Sequence, residues 1–212
     1  MIITLTGFMG CGKSSVGRCL SELLCCPFMD LDAVIEEAQG RSIPEIFTTD
    51  GEAAFRMMEL DALSQIIESQ QLRDKKQSLP SQATGPSLCG QRGSTVSCPS
   101  AAGTANNDKV VVALGGGAVM TKECAELVRE KTFCIYLRAS VDTLVSHLEN
   151  EAAGRPMLQG ASLRTRIEEL MDLRSSTYEA TAHDIIDTDG KTIEEIAAEI
   201  NSREYRRVRE DL

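Results

Sequence analysis

At 212 residues the chain suits one domain, or one domain carrying an insertion, and its 42% apolar and 25% charged residues are the ordinary balance of a globular protein. The formal net charge of -10 argues against a nucleic-acid partner, because phosphate backbones reward clustered Lys and Arg. It leaves room for an anionic small molecule in a cleft lined by a few arginines. Eight cysteines without CxxC or CxH spacing read as reduced thiols and not as a zinc site. Residues 1–6 lack a basic n-region and read as a strand, not a signal peptide. No apolar run approaches the roughly 18 residues a membrane helix needs, so the expectation is a cytoplasmic monomer without a membrane partner.

Residues 2–5 are β-branched and apolar, as a buried strand requires. From Lys13 onward, Val16, Leu20, Leu23 and Leu24 recur at helical spacing. A second apolar stretch ends at Asp30. Ser42-Ile-Pro-Glu45 and Thr49-Asp-Gly-Glu52 both fit the capping box, and the second predicts a helix from residue 50 to about 69. Residues 70–108 are rich in Ser, Gly, Pro, Gln and Asn, the composition of a surface insertion without a core. Strands are expected at 110–114, 133–137 and 184–186. Helices are expected at 121–130, after Ser140, after Ser162 and after Thr192, whose Glu195 completes another capping box. Strands alternating with helices predict a parallel sheet covered on both faces.

Gly7-Phe-Met-Gly-Cys-Gly-Lys13-Ser14 matches GxxxxGK[ST], with a strand before it and a helix after. Glycines let backbone N–H groups turn inward around phosphates, and the helix N-terminus adds partial positive charge. The expected nucleotide-binding residues are therefore Gly10, Cys11, Gly12, Lys13, Ser14 and Ser15. Lys13 should reach the β- and γ-phosphates, and Ser14 should ligate Mg²⁺. A switch GTPase would need an NKxD segment, which is absent; Asp187-Thr-Asp-Gly190 mimics a DxxG switch too late in the chain to carry weight.

Four further motifs follow in order: Phe28-Met-Asp30-Leu-Asp32, Gly51-Glu-Ala-Ala-Phe55-Arg56, Gly115-Gly-Gly117 and Arg155-Pro-Met-Leu158. With them the chain resembles shikimate kinase. The likeness covers most of the chain outside residues 70–108. Asp30, at the end of the second strand, can hold Mg²⁺ through water. Asp32 by itself reads as a helix N-cap; the resemblance instead puts it on the acceptor hydroxyl, where it orients the group or takes its proton. Arg56 by itself reads as a solvated helical residue; the resemblance makes it the clamp for the substrate carboxylate. Arg174 matches a second arginine of that clamp more loosely, because the family's Arg-Ala-Pro-x-Tyr is here Arg-Ser-Ser-Thr-Tyr. Gly115, Gly116 and Gly117 are implied to approach the shikimate ring. Arg155, in a polar lid over residues 150–161, is implied to stabilise charge on the transferring phosphoryl group. Two positions depart from the family. His147 and Leu148 stand where an arginine often stacks on adenine, and Asp189-Gly-Lys191 stands where Arg and Pro are common, so base recognition should differ or be weak.

These residues imply a single three-layer α/β P-loop kinase domain over 1–212. By resemblance its five-stranded parallel sheet has the order 2-3-1-4-5, with residues 31–69 as the substrate-binding region. The implied reaction moves the γ-phosphoryl of ATP, with Mg²⁺, to the 3-hydroxyl of shikimate. A kinase of another polyol acid such as gluconate should lack the Asp30–Asp32 pair with Arg56. A non-catalytic nucleotide sensor should have lost Lys13, Asp32 or Arg155.

Overall fold

The five apolar runs all fold as strands in a computed structural model, which describes residues 1–77, 108–149 and 162–210. These are β1 (Ile2–Thr6), β2 (Phe28–Asp30), β3 (Val110–Ala113), β4 (Phe133–Arg138) and β5 (Asp184–Asp187). They pair in parallel in the order β2-β3-β1-β4-β5. β1 is central and buried throughout, with Ile2 opposite Val110 and Ile3 opposite Phe133. The chain fills one side of β1 before it crosses to the other. The crevice at the C-terminal end of β1 is therefore a topological switch point, where open α/β sheets bind ligands.

The period of two along the strands divides the core between the two faces of the sheet. Ile3, Leu5, Val111, Ile135 and Leu137 join residues of α1 (Lys13–Leu23), α6 (Val141–Leu148), α7 (Leu163–Thr181) and α8 (Ile193–Glu210). Val110, Val112, Leu114, Cys134 and Tyr136 join residues of α2 (Leu31–Gln39), α4 (Gly51–Gln77) and α5 (Lys122–Lys131). Each fully buried Leu or Ile contributes roughly 1.5–3 kcal/mol, so both layers are held by apolar burial. A short 3₁₀ turn, Ala118–Met120, leads from the triple glycine into α5.

Two of the three expected capping boxes form. In α3 (Ile43–Thr49) the Ser42 N–H donates to Glu45 Oε2 at 2.8 Å. At α8 the Thr192 N–H donates to Glu195 Oε2 at 2.8 Å, and the Glu195 N–H returns to Thr192 Oγ1 at 3.2 Å. Thr49 does not cap α4. Its hydroxyl donates to the Glu45 carbonyl inside α3, and Glu52 turns to Arg56 instead.

α4 also runs to Gln77, past the expected end near 69, so residues 70–77 belong to a helix and not to the insertion. Apart from Asp74, those positions are Gln, Leu, Arg and Lys, which are strong helix formers. Gln70 is itself buried, and its Nε2 donates to Asp74 Oδ1 at 3.2 Å. The remainder of the expected insertion, and the expected lid with Arg155, lie outside the described residues. Among the described residues no helix is long and apolar enough to cross a membrane, and Cys11, Cys19, Cys25, Cys124 and Cys134 form no disulfide.

Candidate active site

Residues 7–12 turn from β1 into α1. Gly10 has φ +81° and Gly12 has φ +90°, a left-handed conformation that L side chains rarely adopt. Gly10 also has no room for a side chain, since a Cβ there would lie 2.8 Å from Leu148 Cγ. Gly12 is the N-cap of α1 and offers no side chain to the helix's first N–H groups. Those groups, with the helix dipole, are left for an anion. Lys13 folds back into the loop, and its Nζ donates to the carbonyls of Gly7 at 3.0 Å and Phe8 at 2.9 Å. Ser15 sits exposed in the first turn. His147 Nδ1 lies 2.8 Å from the Gly10 carbonyl and ties α6 to the loop, while Leu148 is buried beneath it. Asp189 is occupied by α6 as well. It accepts from the Ser140 N–H at 3.0 Å and from Thr143 Oγ1 at 2.6 Å.

Beside the loop, Ser14 Oγ donates to Asp30 Oδ2 at 2.6 Å. Asp30 Oδ1 accepts from the Asp32 N–H at 3.2 Å, which makes Asp30 the N-cap of α2. The capping role considered for Asp32 thus belongs to Asp30, and the Asp32 side chain is released for other work. A hydroxyl and a carboxylate touching at the phosphate loop fit Mg²⁺, a hard cation that takes few protein ligands besides water and phosphate. Among the described residues no group of three or more His, Cys, Asp or Glu could hold a metal by itself.

Across the crevice, α2 and α4 bring acids and a base over the triple glycine. Asp32 Oδ1 and Glu59 Oε1 are both buried without a hydrogen-bond partner. Both face Gly115, where a Cβ would lie 2.7 Å from the Asp32 oxygen and 2.6 Å from the Glu59 oxygen. Arg56 Nη1 donates to Glu59 Oε2 at 2.6 Å and Nη2 donates to Glu52 Oε1 at 2.8 Å. The guanidinium packs on Gly117, where a Cβ would lie 2.6 Å from Nη1. Gly115 and Gly117 therefore leave no room for a Cβ beside Asp32, Glu59 and Arg56. Gly116 accepts a hydrogen bond at its carbonyl from the Tyr178 hydroxyl. Arg174, one turn earlier on α7, is buried next to that tyrosine. Burial raises the Tyr178 hydroxyl well above its ordinary range, and Arg174 opposes that rise.

Burial also raises the Asp32 carboxyl, and Asp30 adds to the shift while Lys13 opposes it. Glu59 is pushed up to about 7 by burial, against the pull of Arg56. For Arg56, burial works against the charge, but Glu59 and Glu52 together hold the guanidinium above its ordinary range. The ion pair is thus unequal: the Glu59 side chain is 1% exposed and that of Arg56 is 13% exposed, so burial costs the carboxylate more.

A pH dependence follows. The folded state holds the Glu59 proton more tightly than the unfolded chain does. Its stabilising contribution is therefore complete below about 4.5 and is lost as pH rises through about 7. In Glu59→Gln there is no carboxylate to desolvate, and the amide can donate toward the unpartnered side of the cleft. The variant should be more stable than wild type at pH 8 by on the order of 1–3 kcal/mol, with the difference closing by pH 4. Calorimetric melts at both pH values check this, and a less stable variant at pH 8 would mean that the Arg56 pair outweighs burial.

The P-loop, Asp30, Asp32, Arg56, the three glycines and Arg174 lie together at the C-terminal end of the sheet. Glu59 and Tyr178 were missed. Glu59 lay open to view, because it falls four residues after Phe55 and four before Leu63, on the buried stripe of α4. An acid on such a stripe signals a buried partner. Tyr178, four residues after Arg174, carried no such mark.

The sequence profile described as shikimate kinase matches residues 9–72 and 101–203. The shikimate kinase of Zymomonas mobilis is 38% identical over 176 residues, covering 83% of this chain and 78% of that protein. The shikimate kinase of Thermus thermophilus is 32% identical, covering 96% of this chain and 90% of that protein. A solved structure of shikimate kinase from Acinetobacter baumannii in complex with shikimate superposes with a TM-score of 0.74 at 25% identity, covering 97% of this chain and 93% of that one.

Proposed function

Because the chain belongs to the shikimate kinase family, whose activity is phosphoryl transfer from ATP to shikimate, we propose a role for each residue of the crevice in that reaction. The observation that carries the proposal is the orphaned, buried Asp32 Oδ1, which faces Gly115 across from Arg56 and adjoins the phosphate loop. A buried acceptor without a donor is costly unless a ligand supplies one. The hydroxyl of the acceptor is that donor.

Lys13 leaves the carbonyls of Gly7 and Phe8 for the β- and γ-phosphates, where a charged acceptor makes the stronger bond. Arg56 and Arg174 hold the substrate carboxylate and so fix the ring above Gly115–Gly117. Asp32 orients the 3-hydroxyl and takes its proton. The hydroxyl oxygen forms a bond to the γ-phosphorus as the bond to the ADP oxygen breaks, giving shikimate 3-phosphate and ADP. Mg²⁺, when bound, neutralises charge on the β- and γ-phosphate oxygens, and Ser14 together with Asp30, through water, would hold it. Arg155, outside the described residues, is assigned to the same developing charge on its sequence motif alone. Most of the acceleration is positioning and electrostatics.

An ADP-release assay with shikimate, gluconate or no acceptor tests the assignment. Turnover is expected with shikimate only; equal turnover with gluconate would overturn it. The family profile passes over residues 73–100, which supports reading the stretch after α4 as an addition to the catalytic unit. Replacing residues 79–106 with a short Gly/Ser linker should leave turnover within about threefold of wild type, since the cost of closing a loop changes only slowly with its length. A hundredfold loss in a variant that still melts cooperatively would contradict this.

A further inference from the structure

Arg56 is engaged on both Nη atoms before any substrate arrives. Glu59 holds Nη1, Glu52 holds Nη2, and Gly117 packs against both. The Nη2 edge, where Glu52 sits, is therefore where an incoming carboxylate meets the guanidinium. The two acids differ in how firmly they hold it. Glu59 is sealed in the core at 1% exposure, whereas the Glu52 side chain is 51% exposed. An exposed pair between residues four apart on a helix contributes only about 0.3–0.5 kcal/mol, so it is easily exchanged. Glu52 also has somewhere to go. It lies in the first turn of α4, where the helix dipole stabilises a carboxylate without any help from Arg56.

We infer that Glu52 is a place-holder: its carboxylate occupies the seat on Arg56 that the carboxylate of shikimate takes, and substrate binding expels it. The consequence is a built-in competition that weakens substrate affinity. The same contact keeps the guanidinium compensated and close over Gly117. The inference rests on reading Arg56 as the carboxylate clamp.

The test is calorimetric titration of shikimate into the nucleotide-free protein. Glu52→Gln should bind shikimate about twofold more tightly than wild type, the size of one exposed i,i+4 ion pair. If Glu52 instead positions Arg56, the variant should bind more weakly, and that result would overturn the inference. Asp61→Asn removes an exposed charge from the same helix without touching Arg56. Equal tightening there would reduce the effect to general charge and also overturn it. The methyl ester of shikimate has no anionic carboxylate, so Glu52→Gln should not improve its binding. Arg56→Lys separates the two readings, because lysine cannot make the paired contact. It should weaken shikimate binding at least tenfold if Arg56 is the clamp. Weakening by Arg56→Lys with no tightening by Glu52→Gln sinks the place-holder alone. No weakening by Arg56→Lys sinks the clamp itself.

Discussion

Asp32→Asn should lower turnover by about 10²–10⁴-fold while nucleotide affinity stays near the wild-type value. The substitution keeps the size of the side chain and removes its charge and basicity. The Asp32 Oδ1 is buried without a hydrogen-bond partner, so the loss should fall on chemistry. Asp30→Asn should behave differently. Its carboxylate is bonded to Ser14 Oγ at 2.6 Å and caps α2, so the variant should need more Mg²⁺, and added Mg²⁺ should partly restore its rate. Turnover against Mg²⁺ concentration for both variants separates the roles. Rescue of Asp32→Asn but not Asp30→Asn by Mg²⁺ would reverse the assignment, and wild-type turnover in both would remove its mechanistic centre.

Lys13→Ala should lower kcat by about 10²–10³-fold, the usual size for losing one preorganised donor to developing charge. In the free protein the ammonium rests on two neutral carbonyls, those of Gly7 and Phe8, so moving it onto phosphate strengthens its bonds. Only interactions stronger in the transition state accelerate the reaction. ADP affinity should therefore fall much less than kcat. The check is kcat by coupled assay beside ADP affinity by titration calorimetry. Parallel losses in the two would show that Lys13 binds nucleotide uniformly and does not favour the transition state.

Local sequence was enough for much of this molecule. The five strands are short β-branched or apolar runs, and the caps of α3, α6 and α8 are set by side chains within three residues of the helix start. The phosphate loop is equally local, because its turn depends on glycine at Gly10 and Gly12 and on a lysine one position later. Where local reading erred, two local signals competed. Thr49-Asp-Gly-Glu52 satisfies the capping pattern, but α3 kept Thr49 and Arg56 drew Glu52 away. Residues 70–77 look like the start of a polar insertion, yet strong helix propensity and the burial of Gln70 carry α4 through them.

Residue types and their order along the chain determined by themselves the parallel sheet and the phosphate loop. Tertiary structure alone decided what those residues do to one another. It made Asp30 the cap of α2 and left the Asp32 oxygen without a partner. It put Glu59 against Arg56 and set side chains from two other helices close to Gly115 and Gly117. The physical reason is range. Capping and strand formation are settled within a few residues by backbone hydrogen bonds and side-chain shape. Desolvation and charge pairing depend on which distant segments the sheet brings within a few ångströms.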